Sequence, residues 1–221
     1  MADPVKSRRY RSAVRAEQAR QTRADILTSA RRLFIERGYT ATTVGGIAAD
    51  AGVAVDTVYA AVGAKPVVFR LLLETAISGT DEVVAPEERD YVQRLKAQPR
   101  ARTKLQIYAG AVRAISERMG PLHLVLRDAA TQAPELARIQ DDIGARRAKN
   151  MHLLAQELIA TEDMRPDLEV DEVADVIWTM NSAAFYHLLA YERGWTPDRF
   201  ERWLADTWCR LFLASTHPEG T

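Results

Sequence analysis

Apolar side chains recur at helical spacing along nearly the whole 221-residue sequence, and no comparable stretch alternates with period two. A helix buries residues three and four apart on one face, whereas a half-buried strand buries every second residue, so this pattern reads as all-α. Ile26, Leu27, Ala30, Leu33 and Phe34 form the first stripe, with Gly38 placed to end it. Leu105, Tyr108, Ala109, Val112, Ile115 and Met119 form a second, with Gly120-Pro121 as its expected stop. Leu136, Ile139, Ile143, Asn150, Leu154 and Leu158 make a third. Val173, Ile177, Met180, Ala184, Leu188 and Tyr191 make a fourth, which predicts a helix over 171–192 capped by Asp171. Phe200, Trp203, Leu204, Thr207, Trp208, Leu211 and Phe212 make a fifth, with Thr196 as N-cap and Pro197 behind it. Between stripes, the least regular stretch runs from Gly79 to Pro99, where Glu87, Glu88, Arg89 and Asp90 read as a solvated loop or short surface helix. The spacing predicts roughly eight to ten helices in all.

The segment from Val44 to Gly63, VGGIAADAGVAVDTVYAAVG, carries the most specific pattern. A helix-turn-helix needs a small residue where the helices cross, a glycine at the turn and apolar residues that lock the angle. Ala48 supplies the first and Gly52 the second, while Ile47, Ala51, Val53, Val58 and Ala61 fall at the apolar positions.

Charge is distributed to match. The totals cancel at 30 basic and 30 acidic residues, but residues 1–70 hold 12 basic and 6 acidic side chains and the remainder 18 and 24. The front of the chain suits an anionic partner and the back does not. Lys6, Arg8, Arg9, Arg11, Arg15, Arg20 and Arg23 stand against Glu17 alone in residues 6–23, an arm that can follow phosphates or enter a minor groove.

The sequence here resembles the TetR family of transcriptional regulators, in what looks like its actinobacterial form. The resemblance is carried by Ile26-Leu27, Ala30, Leu33-Phe34, Gly38-Tyr39, Thr42-Thr43-Val44, Ile47-Ala48, Ala51-Gly52-Val53, Thr57, Tyr59 and Lys65, over about residues 23–73. It implies an all-α fold with an N-terminal three-helix DNA-binding domain and a C-terminal helical domain for effector binding and dimerisation. The expected boundaries are 1–20 for the basic arm, 21–65 for the helix-turn-helix domain and 66–221 for the rest. The implied DNA contacts are Arg8, Arg9, Arg11, Thr43, Val55, Asp56, Thr57, Tyr59 and an exposed Lys65. Thr43 and Tyr59 can equally cap and pack. The chain departs from the family pattern at Ala54, at Ala60-Ala61-Val62 and at Gly45-Gly46, which leaves the base-reading face poor in donors. Val55 remains to meet a thymine methyl and Asp56 to accept from a cytosine amine.

For the back of the chain the resemblance implies a homodimer in which helices 171–192 and 197–214 of each copy form a four-helix bundle, through Leu188, Trp203, Trp208, Leu211 and Phe212. Tyr108, Met119, His123, Met151, Trp178 and Phe185 are the candidate lining of a small-molecule pocket, with plain core as the alternative. The expected effector is mainly apolar or aromatic, because no charged cluster marks those stripes. The partners expected are a double-stranded DNA operator and that effector, with an effector-independent DNA-binding protein as the competing reading.

Catalysis finds little support. His123, His152, His187 and His217 lie in no zinc-enzyme spacing, Cys209 stands between Trp208 and Arg210 on an amphipathic stripe, and Gly144 and Gly194 belong to no phosphate loop. No cofactor and no metal is expected. One cysteine excludes an intrachain disulfide, and the longest uncharged stretch, Val176 to Tyr191, is 16 residues, short of the roughly 20 that span a bilayer. A cytoplasmic protein without membrane contact is expected.

Overall fold

A computed structural model describes the backbone of residues 4–214 and the side chains of residues 14–214. These residues form ten α-helices: α1 (Pro4–Ala41), α2 (Val44–Asp50), α3 (Val55–Ala61), α4 (Lys65–Ser78), α5 (Asp90–Lys96), α6 (Ala101–Ala130), α7 (Pro134–Ile159), α8 (Val170–Met180), α9 (Ala183–His187) and α10 (Pro197–Phe212). A single 3-10 turn, Pro86–Glu88, precedes α5, and a π turn, Leu188–Glu192, continues α9. The fold is the all-helical one expected, an N-terminal helix-turn-helix domain followed by a helical C-terminal domain. Among the described residues the only β pairing is an isolated bridge between Met164 and Leu213.

Helix ends fall where the side chains can satisfy them. Gly38 takes φ 76°, which breaks α1 near its end without the strain a Cβ would bring. The buried Thr42 hydroxyl lies 2.8 Å from the Gly38 carbonyl and 3.1 Å from that of Leu33. The Thr196 hydroxyl accepts from the Arg199 N–H at the start of α10, as its position predicts.

Two expected boundaries are wrong. Pro121 does not stop the second stripe: α6 runs through it to Ala130. A proline there removes one backbone bond at a cost of about 3 kcal/mol. The helix continues because Leu105, Tyr108, Ala109 and Val112 before it and Leu122, Val125 and Leu126 after it are all buried. Conversely the helix predicted over 171–192 is interrupted at Asn181-Ser182, where the Ser182 hydroxyl accepts from the Phe185 N–H and starts α9 afresh. The N-cap of α8 is Glu169, and Asp171 lies in its first turn, 3.1 Å from His152. Arg89, assigned to a solvated cluster, is buried and donates to the Val84 carbonyl at 3.3 Å.

The side chains pack into two cores joined by α6. The front core gathers Ile26, Phe34, Ile47, Val58 and Phe69 from α1 to α4 with Leu122 and Leu126 of α6 and Leu136 of α7. The rear core gathers Leu105 and Tyr108 of α6 with Leu154 and Leu158 of α7, Ile177 of α8, and Phe200, Leu204 and Trp208 of α10. The helix-turn-helix therefore shares its interior with half of α6.

Arg118 ties these elements together. Its guanidinium donates to the Ala76 carbonyl at 2.7 Å in the last turn of α4, and its own carbonyl accepts from Arg31 of α1 at 2.9 Å. Gly79, at φ 75°, ends α4 directly beneath the Arg118 side chain, where a Cβ would come within 2.8 Å of the guanidinium.

Candidate functional site

The front site is built from α2 and α3, whose axes bend by 100° across the turn at Gly52. Gly52 holds φ 66°, a conformation that disfavours other residues. Ile47 and Ala48 of α2 and Val58 of α3 are buried, so the crossing angle is set by the residues the sequence pattern named. Behind the pair, Arg32 of α1 is ion-paired with Asp50 at the end of α2, and Arg23 donates to the Ala61 carbonyl at 2.7 Å, closing the end of α3. No described helix is long and apolar enough to cross a membrane by itself; α2 with α3 passes that test only as this bent pair.

The outer surface of α3 presents Val55, Asp56, Tyr59 and Ala60, with Thr57 half-buried beside them. Tyr59 is 52% exposed, so packing between helices is not what holds it there. The Thr43 hydroxyl accepts from the Gly46 N–H at 3.0 Å as the cap of α2 and keeps its own proton to donate. Lys65 departs from expectation. It is half-buried, with its ammonium 4.2 Å from the centre of the Tyr39 ring and 3.4 Å from the Thr40 carbonyl, and burial lowers its pKa against the raising pull of Glu135. The aromatic ring and the carbonyl draw it toward the protein, so only part of its donor capacity faces outward. Arg8, Arg9 and Arg11 lie on the backbone of α1, which is helical from Pro4; the arm is therefore an extension of α1 rather than a separate segment ahead of it, and the three side chains lie outside the described residues.

The rear site is a cavity of about 690 Å³ between α4, α6, α7 and α8. Tyr108, Met119, His123, Met151 and Trp178 all line it. Phe185 does not: its ring stacks on Trp203 and faces Phe200, inside the packing of α9 against α10. A polar chain crosses the floor. Asn181 donates to the Tyr108 hydroxyl at 2.7 Å and to the Met151 sulfur at 2.9 Å, and its oxygen accepts from Arg147 at 3.2 Å. The Arg147 guanidinium lies 4.3 Å over the Trp178 ring. Burial pushes the Tyr108 phenol far above its ordinary range, so it stays protonated, and burial lowers the pKa of His123 and of Arg147.

Residues 26–65 match the family described as bacterial regulatory proteins, tetR family. The match is confined to this segment, which holds the helix-turn-helix. Among solved structures, the fold of this chain is similar to that of NalD, the secondary repressor of the MexAB-OprM multidrug efflux pump in Pseudomonas aeruginosa. The identity there is 23%, with a TM-score of 0.68 over 89% of this chain and 98% of NalD. It is also similar to SmeT in its complex with triclosan, at 18% identity and a TM-score of 0.65, over 91% of this chain and 96% of that one. A protein from Saccharomonospora viridis in complex with choline matches at 18% identity and a TM-score of 0.65, covering 88% and 99%. No curated protein matches the sequence significantly. The family matched by that segment is one of bacterial regulatory proteins.

The residues nominated for a dimer face divide. Leu188 and Leu211 are 50% and 42% exposed, which leaves both free to meet a second copy. Trp208 and Phe212 are buried in the protomer's own rear core, Trp208 stacked on Tyr108 at 5.6 Å, so neither can line an interface. Trp203 is half-buried against Phe185 and Trp195. An amphipathic helix offers its widest apolar stripe to its own core first, which is the reason the largest residues of α10 point inward.

Sequence reasoning missed Arg147, Arg89 and Asn181 as cavity residues. A signal existed for the first: Arg147 stands midway between Ile143 and Met151 at four-residue steps, so it interrupts the apolar stripe of α7 with a charge.

Proposed function

We propose that this DNA-binding regulator is a homodimeric repressor of a palindromic operator, acting in the cytoplasm, and that a small molecule entering the α4–α6–α7–α8 cavity releases it. Residues 1–20 and 21–65 then act as arm and reading head, and 66–221 as the effector-binding and dimerising part. Thr43, Val55, Asp56, Thr57, Tyr59 and Lys65 are the proposed contacts of the head, and Leu188 and Leu211 the proposed apolar contacts between copies.

The observation that carries this reading is the path from cavity to head. Glu74 and Ile77 of the cavity wall belong to α4, the helix that begins at Lys65 directly behind α3. Arg118 joins the end of that helix to α1. Two heads in a dimer grip successive major grooves only at a separation near ~34–36 Å, so a small rotation of α4 is enough to spoil the fit. A ligand produces that rotation only if it binds the displaced state more tightly. SmeT and the Saccharomonospora viridis protein, each solved with a small molecule bound, support the ligand-responsive reading over the effector-independent one.

Selection of bound duplexes from a random pool tests the first half and is expected to return inverted half-sites; a single asymmetric site bound by one copy would overturn it. A compound screen against the retained complex tests the second. Compounds that occupy the cavity, as judged by loss of binding in Trp178→Ala, are expected to release DNA. If they bind without releasing it, the chain is an effector-independent binder.

A further inference from the structure

The rear cavity carries three arginines, and they are not equivalent. Arg146 forms a two-pronged ion pair with Glu74 across α7 and α4, so its charge is neutralised locally. Arg147 and Arg89 have no carboxylate within 4.0 Å among the described residues. Arg147 gives one N–H to the Asn181 oxygen and lays one face on the Trp178 ring. A guanidinium carries five N–H donors, so most of its hydrogen-bonding edge remains to be satisfied. Arg89 is buried and gives its Nε–H to the Val84 carbonyl, leaving its terminal nitrogens without a protein acceptor. His123, desolvated beside Arg127 and Arg147, stays neutral, and Asp141 on the same lining is exposed. The surplus charge of the lining is therefore positive.

Leaving a cation partly desolvated and unpaired is costly, and a fold retains one at little loss only if something else supplies the counter-charge. The neighbouring groups are arranged to hold Arg147 still. Asn181 cannot rotate to offer its amide, because Tyr108 and Met151 take both of its N–H directions, so its oxygen is fixed toward the guanidinium. The planar fork of arginine matches the two oxygens of a carboxylate. Val112, Ile115, Met119 and Leu126 provide an apolar wall for the body of such a molecule.

We infer that the effector is an organic anion, an apolar or aromatic body bearing a carboxylate-like head that Arg147 receives, with Arg89 as the second cation of the site. This rests on the reading of the cavity as the effector site and adds an anionic head to the mainly apolar or aromatic effector expected. Arg147 acts as a specificity residue, distinguishing anions from neutral compounds of the same shape.

The test uses the full chain and two matched pairs, 4-biphenylcarboxylate with 4-biphenylcarboxamide and decanoate with decanamide, titrated calorimetrically at neutral pH. Each carboxylate should bind at least about tenfold more tightly than its amide, the margin of a charge-assisted bidentate contact over a neutral one. Arg147→Gln should bring that ratio close to one while leaving amide affinity within about twofold, and Arg147→Lys should keep part of the preference, since charge survives and the fork does not. The unliganded Arg147→Gln protein should melt no lower than wild type, because it loses an unpaired charge; a melting point well below wild type would mark Arg147 as a structural brace and overturn the assignment. Equal affinity for acid and amide, or a preference that survives Arg147→Gln, overturns it as well and leaves the cavity reading standing. Binding of none of the four at millimolar concentration overturns the cavity reading and the inference together.

Discussion

The front and rear cores are built from the same kinds of side chain and share one helix, yet the front core is closed at its helix-turn-helix end, whereas a cavity opens where the two cores meet, walled by Met119 and Leu126 of one and Tyr108 and Met151 of the other. In front, Phe34, Tyr39 and Phe69 form a triangle with ring centres 5.0–5.6 Å apart, and Arg23, Arg32 and Thr42 tie off the helix ends around it. At the rear, Tyr108 stacks on Trp208 on one side and opens onto a cavity of about 690 Å³ on the other. Protein interiors rarely leave voids larger than a water molecule, so the rear void is a standing cost in lost contacts. A reading head must hold its geometry against the DNA, whereas a sensor must have packing left to complete. The difference teaches that the junction of the two cores is the softer part, where, on the proposed function, a ligand supplies contacts the chain withholds from itself.

The largest expected effect tests that asymmetry. Phe34→Ala should cost ~3–5 kcal/mol in urea unfolding, a large share of the stability of a domain, and abolish DNA binding with it. Met151→Ala at the cavity wall should cost only about 2 kcal/mol, the low end for its type, because one side of the residue already lacks partners. Equal losses would erase the distinction between the cores.

A second contrast lies within α10. Leu211→Glu places a charge on an exposed site, so the fold should survive while the dimer dissociates at least about tenfold more readily in sedimentation and operator binding falls in parallel. Phe212→Glu should instead unfold the chain, since its charge is buried inside the protomer. A Leu211→Glu protein that remains dimeric removes α10 from the interface.

Further forward, deletion of residues 1–13 removes Lys6, Arg8, Arg9 and Arg11. The slope of log affinity against log salt should flatten by up to roughly 3–4, with melting temperature unchanged. An unaltered slope would show that the extension of α1 does not meet phosphate.

The smallest effect concerns His123, whose pKa is lowered by burial, by Arg127, by His187 and by Arg147, against a raising pull from Asp128. In the unfolded chain the same side chain titrates at about 6.5. As pH falls through that value the unfolded state takes up a proton before the folded state does, so stability declines toward acid and is fully present above it. His123→Gln should flatten that part of the stability profile, and an unchanged profile would place the acid sensitivity elsewhere.

How much was legible follows the range of the interactions. The cap and proline that begin α10, the glycine that breaks α1 and the residues that lock α2 onto α3 act within a few positions of one another, so their spacing carries their meaning. Pro121 misled because the penalty it imposes is local and the burial that outweighs it comes from two cores at once. The break at Asn181-Ser182 was hidden because an apolar stripe continues across it, while the polar pair turns to Tyr108, Met151 and Arg147. Five of the six proposed cavity residues line it, and Phe185 fails because the restarted helix turns its ring toward α10.

By itself the sequence determined that this chain is helical, where most helices start and that α2 and α3 form a helix-turn-helix, because periodicity, caps and turn glycines are properties of neighbouring residues. Only the tertiary structure decided which apolar faces are left outside, Leu211 and not Trp208, and which charges are left unmatched, Arg147 and not Arg146. Both outcomes depend on what a distant helix brings: Tyr108 to cover one ring, Glu74 to neutralise one guanidinium and no carboxylate for the other. Pairing across 72 residues leaves no trace in local spacing, and it is pairing of this kind that separates a finished core from a site.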